Sequence, residues 1–140
     1  MDKAIKRVWF EDNKILIVTL DGEVLSQPLE VYPSLLEATD EQRYDYEIWD
    51  EGQSIRWEII DEDVHISEFY EKETVNYDNE VNRLLSRFPY LNLKAFAEYI
   101  GMHWTKLARY RYGVWTPGES DLDDIKSGLQ RIGREMLEAV

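Results

Sequence analysis

The chain has 140 residues, 44% of them hydrophobic, no cysteine and a formal net charge of −13. That length suits one ordinary domain or two small ones, and the apolar content supports a packed core rather than disorder. The missing cysteines exclude disulfides and thiolate metal sites and fit a reducing cytoplasm; no apolar run approaches the ~20 residues of a membrane span, and the N-terminus lacks a signal-peptide core.

The charge is unevenly placed. Residues 1–75 hold 7 Lys and Arg against 20 Asp and Glu, a net of 7 − 20 = −13, whereas residues 76–140 hold 9 of each and are neutral overall.

In chain order, Ala4 to Phe10 and Lys14 to Leu20 are rich in β-branched and aromatic residues, the second ending at Asp21-Gly22, so strand, turn and strand are predicted up to Leu25. Pro33 opens a short helix, and Glu41 to Trp49 is predicted to continue helically. Asp50 to Gln53 then turns the chain into a strand over Ser54 to Ile60. These elements predict a small antiparallel sheet with one or two helices laid on it.

The acidic run Asp61, Glu62 and Asp63, with His65 close by, is the place to look for carboxylate chemistry. On a strand Asp61 and Asp63 share a face and Glu62 points away, and the favoured reading is a solvated charge run with His65 half-exposed. A calcium loop would need a glycine and a later bidentate glutamate that are absent, and two histidines without cysteine announce no zinc site. Phosphate loops, nucleophile elbows and nucleotide fingerprints are also missing. No catalytic residue, metal or cofactor is expected, and the chain is read as a non-enzyme.

Asp21-Gly22, Pro28-Leu29, Pro33-Ser34-Leu35, Ala38-Thr39, Glu41, Arg43, Gly52, Ile55, Trp57 and Asp61-Glu62-Asp63 follow one another in an order that resembles the bacterial family known as domain of unknown function 2442. The resemblance spans residues 5 to 70. It implies a role in transcriptional or antitoxin work, because members occur alone or joined to a helix-turn-helix and some lie beside toxin-like genes.

In the second half, Leu93, Phe96, Ala97 and Ile100 fall at i, i+3, i+4 and i+7 on one helical face, and Gly101 stands where a helix end takes a left-handed residue. His103 can cap a following helix in which Trp104, Leu107 and Ala108 face inward, closed by Gly113 and Pro117. Ala97, Gly101, Gly113 and Pro117 resemble the small residue, turn glycine, terminal glycine and proline of the phage-repressor (Cro/C1, or XRE) helix-turn-helix. His103, Trp104 and Arg111 depart from that pattern. The resemblance implies a second helix offered to a DNA major groove, with His103, Thr105, Lys106, Arg109, Tyr110 and Lys94 as the DNA-facing residues. Trp104 and Trp115 are expected in the core, Tyr110 and Tyr112 at the contact surface.

Ser120 is predicted to cap a last helix, with Asp123 in the capping-box place. Leu122, Ile125, Leu129, Ile132 and Met136 form its apolar seam, which packs within the chain or meets its twin in a homodimer. The expected fold is α+β: an acidic sheet-containing domain over 1–73, then a bundle of roughly five helices with a helix-turn-helix over 74–140. The expected function is a cytoplasmic bacterial DNA-binding regulator whose acidic domain senses or binds a partner. The alternative is an antitoxin-like or adaptor protein that occupies a basic protein and binds no DNA.

Overall fold

The computed structural model describes residues 3–140. The chain divides into two compact units, residues 1–75 and 76–140.

The first unit opens with a meander of β1 (Ile5–Glu11), β2 (Lys14–Thr19) and β3 (Val24–Pro28), antiparallel throughout and ordered β1-β2-β3. Asp12 and Asn13, at φ 52° and 59°, make the tight turn from β1 to β2. Short polar side chains tolerate that left-handed backbone best, and the mirror-image turn they build matches the strand twist. Ile15, Ile17 and Thr19 alternate inward along β2 and are wholly buried. The chain then passes through α1 (Pro33–Glu37), with Pro33 in its first turn, and α2 (Asp40–Arg43). A capping box starts α2: the Thr39 hydroxyl accepts from the Gln42 N–H at 3.1 Å, and the Gln42 amide oxygen accepts from the Thr39 N–H at 2.9 Å.

A second antiparallel sheet follows, ordered β4 (Glu47–Trp49), β5 (Ser54–Trp57) and β6 (Glu62–His65), and α3 (Ser67–Tyr70) ends the unit. The α+β class is as expected, but two three-stranded sheets replace the single small sheet. Helix does not extend from Glu41 to Trp49; it stops at Arg43 and the chain becomes β4. The reason lies in Tyr44, Tyr46 and Ile48, which recur with period two and therefore fit a pleat better than a helical face. The strand predicted to reach Ile60 ends at Trp57, because Asp61, at φ 50°, turns the chain back into β6.

Three of the four outer strands of these sheets are shielded within the unit. The Tyr44 hydroxyl accepts from the Phe10 N–H of β1 at 3.2 Å, and the Tyr46 hydroxyl accepts from the Val8 N–H at 3.2 Å. Helix α3 packs against both β3 and β6. There the Gln27 amide donates to the Glu68 carbonyl at 2.7 Å, and the Glu68 carboxylate accepts from the His65 N–H at 2.8 Å. Glu68 also accepts from the buried Tyr32 hydroxyl at 3.0 Å. Burial, helped by the Glu68 charge, pushes the Tyr32 phenol well above its usual range. The β4–β5 loop runs through Asp50, Glu51 and Gly52 at φ 54°, 55° and 90°. Gly52 is buried, and a Cβ there would come within 2.6 Å of the Ala4 Cβ.

The second unit has four helices, fewer than the roughly five expected: α4 (Glu80–Ser86), α5 (Leu93–Tyr99), α6 (Trp104–Arg111) and α7 (Glu119–Ala139). Asn79 and Asn92 cap α4 and α5 through their side chains. The core joins Val81 and Leu85 of α4, Phe96 and Ala97 of α5, Leu107 and Tyr110 of α6, and Ile125 of α7. Full burial of Leu107 alone is worth about 2 kcal/mol. Helix α7 starts at Glu119 with Gly118 before it and no side-chain cap, so Ser120 lies inside the first turn rather than at the predicted capping position. Its seam is divided: Ile125 is fully buried, whereas Met136 is 53% exposed. Gly128 lets α7 approach α5, since a Cβ there would collide with Ile100. Among the described residues, no helix is long and apolar enough to cross a membrane.

Candidate nucleic-acid interface

Helices α5 and α6 are joined by a turn that the backbone specifies closely. Gly101, at φ 73°, donates its N–H to the Glu98 carbonyl at 3.0 Å, and Met102 donates to the Ala97 carbonyl at 2.9 Å. These bonds satisfy carbonyls that the end of α5 would otherwise leave unpaired. Ala97 and Ala108 are completely buried, so each helix presents a small side chain at an inward position.

The sequence-predicted DNA-facing residues gather on and beside α6, but most already have partners. His103 caps the helix: its Nδ1 accepts from the Thr105 N–H at 3.3 Å and lies 2.7 Å from Thr105 Oγ1. Both side chains are therefore engaged at the start of α6. Lys106 Nζ lies 2.8 Å from the Asp121 carboxylate in the first turn of α7. That ion pair raises the Lys106 pKa, and the Lys106 hydrogen bond, followed by that from Tyr110, lowers the Asp121 pKa. The Arg109 guanidinium sits over the Trp115 ring at 4.7 Å, and the Lys94 ammonium over the Trp104 ring at 4.3 Å. Stacking of this kind fixes where a cation stands.

Tyr110 corrects the expectation. It is 6% exposed, a core residue instead of a contact residue, because position 110 follows Leu107 by three and falls on the same inward face. Its hydroxyl donates to Asp121. Burial first, and that bond second, raise its pKa. Trp115 is corrected in the other direction: it is 41% exposed under Arg109, whereas Trp104 is half-buried. Asp121 is the functional residue that sequence reasoning passes over. Its place in the first turn of a helix accounts for it as a partner of the helix dipole, and nothing in the spacing reveals that α7 brings it to Lys106.

Next to the C-terminal end of α6 lies an open cleft of about 320 Å³, lined by Asp78, Asn79, Glu80, Tyr110, Trp115 and Leu122. Two carboxylates in the lining make it a poor place for phosphate. Other cations of this unit are also paired, Arg83 with Asp78 and Lys126 with Glu80, each at 2.8 Å.

In the first unit the acidic run converges on a single cation. Arg56 holds Glu58 at 3.1 Å, Asp61 at 2.9 Å and Asp63 at 2.8 Å. These bonds, led by that with Glu58, raise the guanidinium pKa. All three carboxylates are well exposed, so the cluster contributes little stability and leaves two negative charges uncompensated. His65 is exposed, with its Nδ1 2.8 Å from the Ser67 hydroxyl. Among the described residues, no group of three or more His, Asp or Glu side chains is placed to hold a metal ion.

A family model described as a protein of unknown function (DUF2442) matches residues 5–75, which is half of the chain and almost the whole first unit. No curated protein matches the chain, and no solved structure matches it.

Proposed function

The chain belongs to the DUF2442 family, whose function is unknown, and from that premise we propose that it is a bacterial DNA-binding regulator: the second unit contacts duplex DNA and the acidic first unit engages a partner. The observation that carries this reading is the α5–Gly101–α6 arrangement. A glycine turn and packing against α5 hold α6 in place, with its own Arg109 stacked on Trp115 and Lys94 of α5 stacked on its Trp104. A helix-turn-helix of the repressor kind needs a second helix held in this way, with cations beside it to meet phosphates. The neutral charge of residues 76–140 supports contact with DNA better than the −13 of residues 1–75.

Selection of the full chain against a random duplex pool at low salt tests the proposal. A recurring motif whose binding drops with Arg109→Ala supports it; a pool that stays random after several rounds rejects it.

A second reading is favoured by one specific contact. With Lys106 tied to Asp121, α6 offers phosphate one cation fewer than its sequence implies. An adaptor that uses its helices as scaffold and its acidic unit to occupy a basic protein has no need of that cation. Retention of a basic protein by the full chain, combined with failure of the DNA selection, would favour this reading.

A further inference from the structure

Strand β4 stands apart from the other outer strands of the first unit. Strand β1 meets the hydroxyls of Tyr44 and Tyr46, while β3 and β6 meet α3. Strand β4 is the outer strand of the second sheet, beside β5, and each of its three residues is exposed. An uncovered strand edge is a template for pairing, and folded proteins normally shield it. Among the described residues, β4 is the outer strand whose residues are all exposed.

Its side chains suit a particular occupant. Ile48 is 37% exposed, Trp49 46% and Tyr44 51%, giving apolar and aromatic area beside the strand. Residues 37–51 carry seven carboxylates, Glu37, Asp40, Glu41, Asp45, Glu47, Asp50 and Glu51, against Arg43 alone, a net of 1 − 7 = −6. Arg43 is partly engaged elsewhere: its guanidinium donates to the Leu35 and Leu36 carbonyls, each at 2.9 Å, and lies 3.9 Å from Asp40.

We propose that β4 is a docking edge for an extended, Lys- or Arg-rich segment of a protein partner, which adds to the second sheet as a fourth strand. Main-chain hydrogen bonds to β4 would supply affinity. Pairing of its cations with Glu47, Asp45, Asp50 and Glu51 would supply specificity and a fast approach. A second copy of this chain fits the same edge poorly, because two such surfaces would bring six net negative charges against six. The proposal deepens, and rests on, the reading of the first unit as the partner-binding part.

The test uses the full chain and a labelled synthetic peptide of about ten residues in which lysine alternates with valine or threonine, a pattern of high strand preference. Fluorescence anisotropy is measured for this peptide, for its copy N-methylated at alternate backbone nitrogens, and for a copy with glutamate in place of lysine. The parent peptide should bind, its N-methylated copy about tenfold or more weaker, and the glutamate copy not at all. Glu47→Lys and Ile48→Pro should each weaken the parent peptide by a similar factor, and amide exchange should slow within β4 on binding. Because N-methylation alters only the peptide, failure of Ile48→Pro to fold leaves the test intact. Equal binding of parent and N-methylated peptides would overturn the β4 assignment while leaving the partner-binding reading standing. Absence of binding by either lysine peptide would overturn both. Concentration-dependent dimers with β4 protected before peptide is added would overturn the assignment in favour of a second copy.

Discussion

The Tyr46 hydroxyl answers both main-chain groups of Val8, accepting from its N–H at 3.2 Å and donating to its C=O at 3.3 Å. A single side-chain oxygen thus does for β1 what a residue of an adjoining strand would do. Tyr46→Phe keeps the ring beside Trp57, 6.2 Å between centroids, and removes only those bonds. The expected loss is about 1 to 2 kcal/mol of stability, with more self-association as the edge of β1 opens. Urea denaturation and light scattering read the two effects, and a variant that matches the parent in both would show that the hydroxyl shields nothing.

Two glycines of the second unit should respond differently to a single methyl group. Gly101 and Gly113 both have positive φ, 73° and 72°, but a Cβ on Gly101 meets open space and one on Gly113 collides with the Asn76 carbonyl. Gly101→Ala should cost about 1 to 2 kcal/mol, the penalty of a left-handed alanine. Gly113→Ala should cost clearly more, because Asn76 is also held there by its N–H to the Tyr112 carbonyl at 2.9 Å. Melting curves that order the two variants the other way would refute this account of the 76–113 contact.

Releasing Lys106 is the sharpest probe of the DNA reading. Asp121→Asn removes one negative charge and frees the ammonium that Asp121 holds. Duplex binding at low salt should tighten, and the slope of log K against log salt should steepen by about one. An unchanged slope would place α6 away from phosphate. Matched melting curves are needed, since Tyr110 loses a charged acceptor in the same variant.

The same carboxylate makes a pH prediction. The folded pKa of Asp121 is lowered from an ordinary value of 3.8, so the folded state takes up its proton less readily than the unfolded chain. Its stabilisation is therefore fully present above that ordinary value and is lost as pH falls through the depressed one. For Lys106, whose pKa is raised from 10.5, the contribution is present below 10.5 and lost as pH rises through the elevated value. The gap in unfolding free energy between the parent and Asp121→Asn should stay level between these limits and shrink in acid. A gap that persists unchanged in strong acid would mean that the ion pair is not its origin.

How far the sequence reveals this structure depends on the range of the interaction. Strand β2, the end of α5 at Gly101 and the capping of α6 by His103 follow from period, glycine and cap chemistry over a few neighbouring residues. Strand β4 does not, because its three residues need β5 as a partner, and the carboxylates around them read as a helical surface until Tyr44, Tyr46 and Ile48 are taken together. The same limit applies at the candidate interface. The placement of Lys106 on α6 is local information, whereas its partner Asp121 arrives from a different helix. Tyr110 escapes a local reading for a related reason: its aromatic ring suits a contact surface or a core equally well, and the acceptor that lets its hydroxyl be buried is again Asp121.

Gly52 ties the loop after β4 to the beginning of the chain, since Ala4 fills the space that any side chain at position 52 would occupy. During synthesis Ala4 leaves the ribosome well before Gly52, so β1 and β2 can already be paired when the β4–β5 loop arrives to be fitted against them. The second sheet can then be completed on a surface the nascent chain has already built. Moving the chain terminus into the β2–β3 turn by circular permutation would reverse that order and make Ala4 the late arrival. The permuted protein would reach the same final packing through a slower assembly, with the β4–β5 hairpin waiting for its seat.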